Sequence, residues 1–217
     1  LQRGAVGQQQ AHQHVALVLV GDEGGRQAAE ALDQFSTDQP GHPRRDEFQL
    51  QAAVYTWARG ISWRNQLDLN PLDASARAKA VEAFDDAIRR LKPIPYTKLE
   101  KNLGENCAYR LARAIADRAE LEAKDQPSRE LEQLQALQTL ATIPDDSSLR
   151  GFSSLLKADL LCRLNRLDEA DAPLKQARSV EPPLPERDVL DVRLELLARV
   201  GARPNAVGDD RGAGARR

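Results

Sequence analysis

The sequence predicts an all-α fold in which antiparallel helix pairs stack into a solenoid. Its 217 residues are rich in Ala, Leu, Gln, Glu and Arg, which favour helices, and only 4% are aromatic. Apolar residues recur at helical spacing, and the alternation typical of strands is almost absent. Short breaks containing Pro, Gly, Asn or Asp separate the helical segments, and short connections favour antiparallel neighbours.

Nine helices are predicted between these breaks. In the third, Leu50, Val54, Trp57 and Ile61 step by 4, 3 and 4 residues, which places them on one helix face. The predicted helices are residues 11–20, 26–37, 44–66, 74–91, 98–124, 128–142, 149–164, 168–180 and 186–200.

The two ends of the chain differ from this pattern. Residues 1–10 are rich in Gln and Gly, and we expect a loose segment. Residues 203–217 hold Gly, Asp and Arg with little apolar surface to bury, and we expect a disordered tail. The helical domain is therefore predicted over residues 11–202.

The first predicted helix has an alternative interpretation. Val15, Val18 and Val20 are β-branched and precede the stretch G-D-E-G-G, as in the strand and turn of a nucleotide-binding unit. The turn is not G-x-G-x-x-G, and a doubly wound fold needs further strands that the sequence does not show. We favour the helix, and the sequence leaves the strand open.

One spacing of small residues recurs along the chain. Because two helices joined by a short turn cross closely, small side chains fit best at the crossing. Twelve residues separate the first two positions in two copies and 22 in a third, stretched copy. The copies are Ala158, Ala170, Leu174, Ala177 and Pro182; Ala16, Ala28, Leu32, Phe35 and Pro40; and Ala58, Ala80, Phe84, Ala87 and Pro93.

The connection after residue 164 has its own signals. Asn165 suits a left-handed backbone between helices. Asp168 is expected to cap the following helix, with Glu169 near its positive end.

The segment GFSSLLKADLLCRLNRLDEADAPLKQARSVEPP resembles the tetratricopeptide repeat family, in a divergent bacterial form. Two good copies, a stretched one and a degenerate one cover residues 11–200. Ser154 and His12 stand where the family has a large aromatic residue, and Asn165 stands where it has Gly. The resemblance implies a right-handed solenoid whose concave groove binds a protein or peptide partner.

Composition restricts the function classes. The formal net charge is -2, so the chain lacks the basic surface that nucleic-acid binding needs. No apolar run approaches the ~18 residues of a membrane span. Cys107 and Cys162 are predicted to be small buried residues, although a disulfide stays open.

No catalytic or metal-binding constellation is apparent. His12 and His14 have no Cys or carboxylate cluster nearby, and His42 is expected in a turn. There is no Ser–His–Asp arrangement, H-E-x-x-H motif or phosphate loop, and the carboxylates are predicted on solvated helix faces. The sequence therefore predicts no enzyme activity, no metal and no cofactor.

One polar stripe is a candidate binding surface. Lys98, Asn102, Asn106, Arg110 and Arg113 step by 4, 4, 4 and 3 residues, although Asn is unfavourable inside helices. Their amides and cations suit a peptide backbone and a carboxylate. The stripe is also typical of a solvated face, and both interpretations stay open.

These observations predict a noncatalytic protein-interaction scaffold that binds a peptide or protein partner in its concave groove. The alternative is a helical regulatory or accessory domain of a larger enzyme, truncated at residue 1.

Overall fold

The computed structural model describes residues 22–122, 125–181 and 183–201, and every regular element in these ranges is helical. The all-α prediction is confirmed. The predicted helix at residues 11–20 and both predicted loose ends, residues 1–10 and 203–217, lie outside the described residues. The described residues form eight α-helices: α1 (Asp22–Asp38), α2 (Arg45–Leu69), α3 (Ala74–Leu91), α4 (Lys101–Glu122), α5 (Gln126–Leu140), α6 (Arg150–Arg163), α7 (Leu167–Arg178) and α8 (Glu186–Gly201).

Most predicted helices match to within a few residues, but the one at residues 98–124 is interrupted. A 3₁₀ turn, Tyr96–Lys98, is followed by extended backbone at Leu99 before α4 begins. The turn lies against α4 at Gly104, where a Cβ atom would stand 2.2 Å from the carbonyl oxygen of Tyr96. Only glycine permits this approach, so the turn and α4 are separate elements.

Two other boundaries are corrected. Helix α1 begins at Asp22, so most of the glycine-rich stretch predicted as a connection is its first turn. Helix α2 continues to Leu69 and takes up part of the 22-residue interval predicted between the two helices of the stretched copy.

Each helix packs chiefly against its chain neighbours. The most extensive contacts join α2 with α3 and α6 with α7; α1 packs on α2, α4 on α3 and α5, and α8 on α6 and α7. The helices form the pairs α2–α3, α4–α5 and α6–α7. The first members of these pairs also contact one another, because α2 contacts α4 and α4 contacts α6. Helix α6 contacts α8 in addition. We call α2, α4 and α6 the first helices, and α3, α5 and α7 the second helices.

The small residues of the α6–α7 pair are buried as predicted. Ala158, Ala170 and Ala177 are 0% exposed and Leu174 is 5% exposed. Asn165 has a φ of 57°, which confirms the left-handed residue in the connection.

The predicted cap at Asp168 is wrong. Helix α7 begins at Leu167, so Asp168 lies within its first turn, and the side chain of the preceding Arg166 makes no capping bond. Arg166 instead pairs with Glu169 at 2.6 Å.

The two helices of the α2–α3 pair also pack closely, as those of the α6–α7 pair do. A Cβ atom at Gly60 would lie 2.5 Å from the ring of Phe84, so the two helices meet there without a side chain on α2. Ala80, Phe84 and Ala87 are 0% exposed, and Ala58 is 8% exposed. The predicted small positions are therefore buried, but glycine makes the closest approach.

Cys107 and Cys162 are both buried and are not joined by a disulfide, so the buried-residue prediction is confirmed. Burial raises the pKa of Cys107 to about 12, which keeps its thiol protonated at neutral pH. Among the described residues, no helix combines the length and apolar character needed to cross a bilayer.

Candidate functional site

The predicted polar stripe divides into two parts. Lys98 ends the 3₁₀ turn and Asn102 lies in the first turn of α4, and both are exposed. Asn106 is half-buried, and its amide Nδ2 donates to the carbonyl oxygen of Asn102 at 2.8 Å. Lys98 is therefore not on the helix that carries the other four residues, and at least one amide is engaged by its own helix.

Arg110 and Arg113 lie deeper, where α4 meets α2. Arg110 is 8% exposed, and its guanidinium carbon stands 5.4 Å from the ring centroid of Trp57 and 5.8 Å from that of Tyr109. Burial lowers the pKa of Arg110, and the positive charge of Arg113 lowers it further. Its Nη1 atom is buried without a hydrogen-bond partner among the described residues.

Asp117, one turn after Arg113, is the centre of the polar contacts between α2 and α4. It is 1% exposed and accepts hydrogen bonds from Trp57 Nε1 at 2.9 Å, Arg64 Nη1 at 2.8 Å and Arg113 Nε at 3.1 Å. The charge of Asp117 raises the pKa of Arg113. Three donors compensate this buried carboxylate, which would otherwise carry a large desolvation cost.

The ion pairs continue from α4 to α6. Arg64 also pairs with Glu120 at 3.1 Å, Glu120 pairs with Arg163, and Arg163 pairs with Asp159 at 2.6 Å. Arginines and carboxylates thus alternate across the three first helices. We call this set the arginine–carboxylate layer: Arg64, Arg113, Asp117, Glu120, Asp159 and Arg163.

The order of contacts gives the direction of the helices. Along α2, Trp57 and then Arg64 meet Asp117 and then Glu120 of α4. Along α4, the ring centroid of Tyr109 lies 6.3 Å from that of Phe152 on α6, and the later Glu120 pairs with the later Arg163. In each pair of helices, residues later in one helix contact residues later in the other. Helices α2, α4 and α6 therefore run in the same direction.

Sequence reasoning missed most of this layer. The expectation that carboxylates lie on solvated helix faces is wrong for Asp117, since it is buried between two helices. A signal was present in the oppositely charged residues four apart on two first helices, Arg113 with Asp117 and Asp159 with Arg163. Such spacing is also common on exposed helices, so it does not by itself identify a buried layer.

The charges around Arg110 are unbalanced. The arginine–carboxylate layer has three arginines and three carboxylates. Arg110 adds a further positive charge on α4, and no carboxylate of the described residues pairs with it. An arginine with unused donors suits an anionic group. Among the described residues, no group of three or more His, Cys, Asp or Glu side chains is arranged to hold a metal ion.

No protein-family model matches the chain, and neither does any curated protein or solved structure.

Proposed function

We propose that the chain is a noncatalytic protein-interaction scaffold, built as a right-handed solenoid of the tetratricopeptide type. It binds a peptide or protein partner along the side formed by the first helices. The observation that carries the proposal is that α2, α4 and α6 contact one another in succession and run in the same direction. Stacked helix pairs with parallel first helices leave an extended surface rather than a single closed cavity.

The distribution of contacts supports a concave first-helix side. Among the described elements, α2, α4 and α6 contact one another, whereas no contact of similar extent joins α3, α5 and α7. A stack held more tightly on one side curves toward that side. The groove of such a stack is lined by α2, α4 and α6, which carry the arginine–carboxylate layer.

The side chains on this side favour an acidic or C-terminal peptide segment. Lys98 and Asn102 are exposed and offer a cation and an amide before and within the first turn of α4. Arg110 lies further along the same helix, with a positive charge that no carboxylate of the described residues compensates. Successive turns of α4 are ~5–6 Å apart, which suits the acceptors of an extended peptide.

The proposal is tested with a displayed library of peptides that end in a free carboxylate. Enriched sequences are resynthesised with a fluorescent label, and their binding to the protein is measured by anisotropy at low and high salt. We expect acidic sequences whose affinity falls at high salt. Lys98→Glu and Arg110→Met should each weaken binding.

Lys175→Glu is the matched control, because it makes the same charge change on a second helix where Lys175 is 73% exposed. It should leave the affinity unchanged. If no peptide is enriched, or if Lys175→Glu weakens binding as much as Lys98→Glu does, the first-helix side is not the binding surface.

A further inference from the structure

Two residues that are adjacent in α4 make polar contacts on different sides of that helix. Asp117 faces α2, where it accepts hydrogen bonds from Trp57 and Arg64. Arg118 is rotated from it by ~100° about the helix axis and lies where α4 meets α3 and α5. The first helices and the second helices are thus linked through neighbouring positions of one helix.

Arg118 is surrounded by three carboxylates. Its Nε atom lies 2.7 Å from Oδ1 of Asp85 on α3, and its two other guanidinium nitrogens pair with Glu122 on α4 and Glu132 on α5. Glu122 and Glu132 belong to the same helix pair as Arg118, whereas Asp85 belongs to the pair α2–α3. The ion pair with Asp85 therefore joins two successive helix pairs.

The separation of α3 and α5 depends on this arginine. Among the described elements, both helices pack on α4, but no contact of similar extent joins α3 to α5. Arg118 lies between them and compensates carboxylates from both. Without its guanidinium, three like charges would remain where α3 approaches α5, and they would repel one another.

The contacts of Asp117 and Arg118 differ in how strongly dissolved salt can act on them. The Asp117 side chain is 1% exposed, and one of its donors, Trp57 Nε1, is uncharged. The Asp85 side chain is 50% exposed, and both partners of its ion pair are charged. Salt screens exposed charges more than buried ones, and the Debye length falls from ~10 Å at 0.1 M to ~3 Å at 1 M. A rise in salt should therefore loosen the Arg118–Asp85 pair before the contacts of Asp117.

We propose that the Arg118–Asp85 ion pair is a salt-sensitive link that sets the distance between α3 and α5, while the contacts of Asp117 act as the hinge. At low ionic strength, the closed ion pair holds the pair α2–α3 against the pair α4–α5. At high ionic strength, water enters between Arg118 and Asp85, and α3 tilts away from α5. This inference concerns how the helix pairs stack and does not depend on the proposed binding function.

Distance measurements by pulsed electron paramagnetic resonance on the full chain test the link. Spin labels are attached at Ala78→Cys on α3 and Gln135→Cys on α5, both exposed positions, whereas the native Cys107 and Cys162 are buried. Entry of one water, ~3 Å across, should raise the mean label distance by about that amount when salt is raised from about 0.1 M to about 1 M. Labels within one helix pair, at Gln66→Cys and Ala78→Cys, should keep their distance.

Three substitutions distinguish loss of this link from a general loosening of the fold. Arg118→Met leaves three carboxylates uncompensated, so the distance between the labels on α3 and α5 should exceed the parent's at low salt and shrink as salt screens the repulsion. Asp85→Asn removes the link together with one of the like charges, so its distance should hardly respond to salt. Arg166→Met, which removes an ion pair with Glu169 on α7, should behave as the parent does.

Circular dichroism checks that each variant keeps its helices. A parent distance that does not change with salt would overturn the proposal, and so would an Arg118→Met distance equal to the parent's at low salt. An equal change between the labels within the pair α2–α3 would also overturn it, by assigning the salt response to the packing of single helices.

Discussion

The contacts within a helix pair and the contacts between pairs have different chemistry. Inside the α6–α7 pair, alanines and leucines meet with almost no exposed surface. Between α2, α4 and α6, buried or half-buried arginines and carboxylates make the principal polar links. Apolar packing of small residues is local and tolerant of exact orientation, whereas ion pairs require each partner to be in register. Small apolar side chains thus determine how two helices form a pair, and ion pairs determine how one pair stacks on the next.

The strongest test of this difference removes the central carboxylate. Asp117→Ala takes away the carboxylate that pairs with Arg113 and leaves Arg64 with Glu120 alone, and we expect it to lower the free energy of unfolding by ~3–5 kcal/mol. Urea denaturation followed by circular dichroism measures the change. Asp171→Ala is the control, because that carboxylate pairs with Lys175 at an exposed position of α7. Equal, small effects of both substitutions would mean that the layer contributes little to stacking.

Overfilling a helix crossing tests the other kind of contact. Ala158→Leu and Ala170→Leu each add three carbons at a site with no exposed surface, and we expect a loss of ~1–3 kcal/mol. Ala172→Leu on the exposed side of α7 serves as the reference. If the Ala158→Leu and Ala170→Leu variants have the same melting temperature as the parent and the Ala172→Leu variant, the helices do not cross at Ala158 and Ala170.

The Arg110→Met substitution should change peptide affinity without lowering the stability of the fold. Replacement of Arg110 by Met keeps much of the side-chain volume and removes a buried charge that no carboxylate of the described residues pairs with. We therefore expect the free energy of unfolding to stay within ~1 kcal/mol of the parent or to rise. Peptide affinity should fall at the same time. A loss of several kcal/mol would instead mean that stacking on Trp57 and Tyr109 makes Arg110 a structural residue.

The smallest expected effect lies outside both kinds of contact, at the start of α5. The backbone N–H of Ser128 donates to Asp125 at 2.8 Å, which lowers the pKa of that carboxyl group below its usual 3.8. A lowered folded-state pKa gives stability that is present above pH 3.8 and is lost as the pH falls through the folded value. Asp125→Ala should therefore lower the melting temperature slightly at pH 6, and the difference should disappear at lower pH. A difference that persists at pH 2 would assign the effect to something other than this cap.

The parts of the fold that sequence reasoning predicted are local in origin. Helix positions follow from periodicity and from breaks such as those at Pro93 and Pro144, and Asn165 could be assigned because its left-handed backbone depends on its own connection. The small residues at Ala158 and Ala170 could be assigned because they repeat.

The arginine–carboxylate layer could not be predicted in the same way. Whether Asp117 faces solvent or Trp57 depends on how far α4 rotates about its axis when α2 packs on it, and no local pattern fixes that angle. The break in the polar stripe between Lys98 and Asn102 could not be predicted either, because it also depends on tertiary packing. Spacing alone gave Lys98 the same helix as Asn102, but the close approach at Gly104 separates the two elements.

The sequence separations within the layer have a consequence for the order of folding. Neighbouring helices along the chain pack with short connections, so each pair can form soon after its own residues are available. The bonds from Arg64 and Trp57 to Asp117 span 53 and 60 residues, and closing such loops costs more chain entropy. The local contacts within the helix pairs favour rapid folding, and we expect the distant contacts to Asp117 to form afterwards. The arginine–carboxylate layer should thus form after the rate-limiting step, so that Asp117→Ala accelerates unfolding while the refolding rate hardly changes.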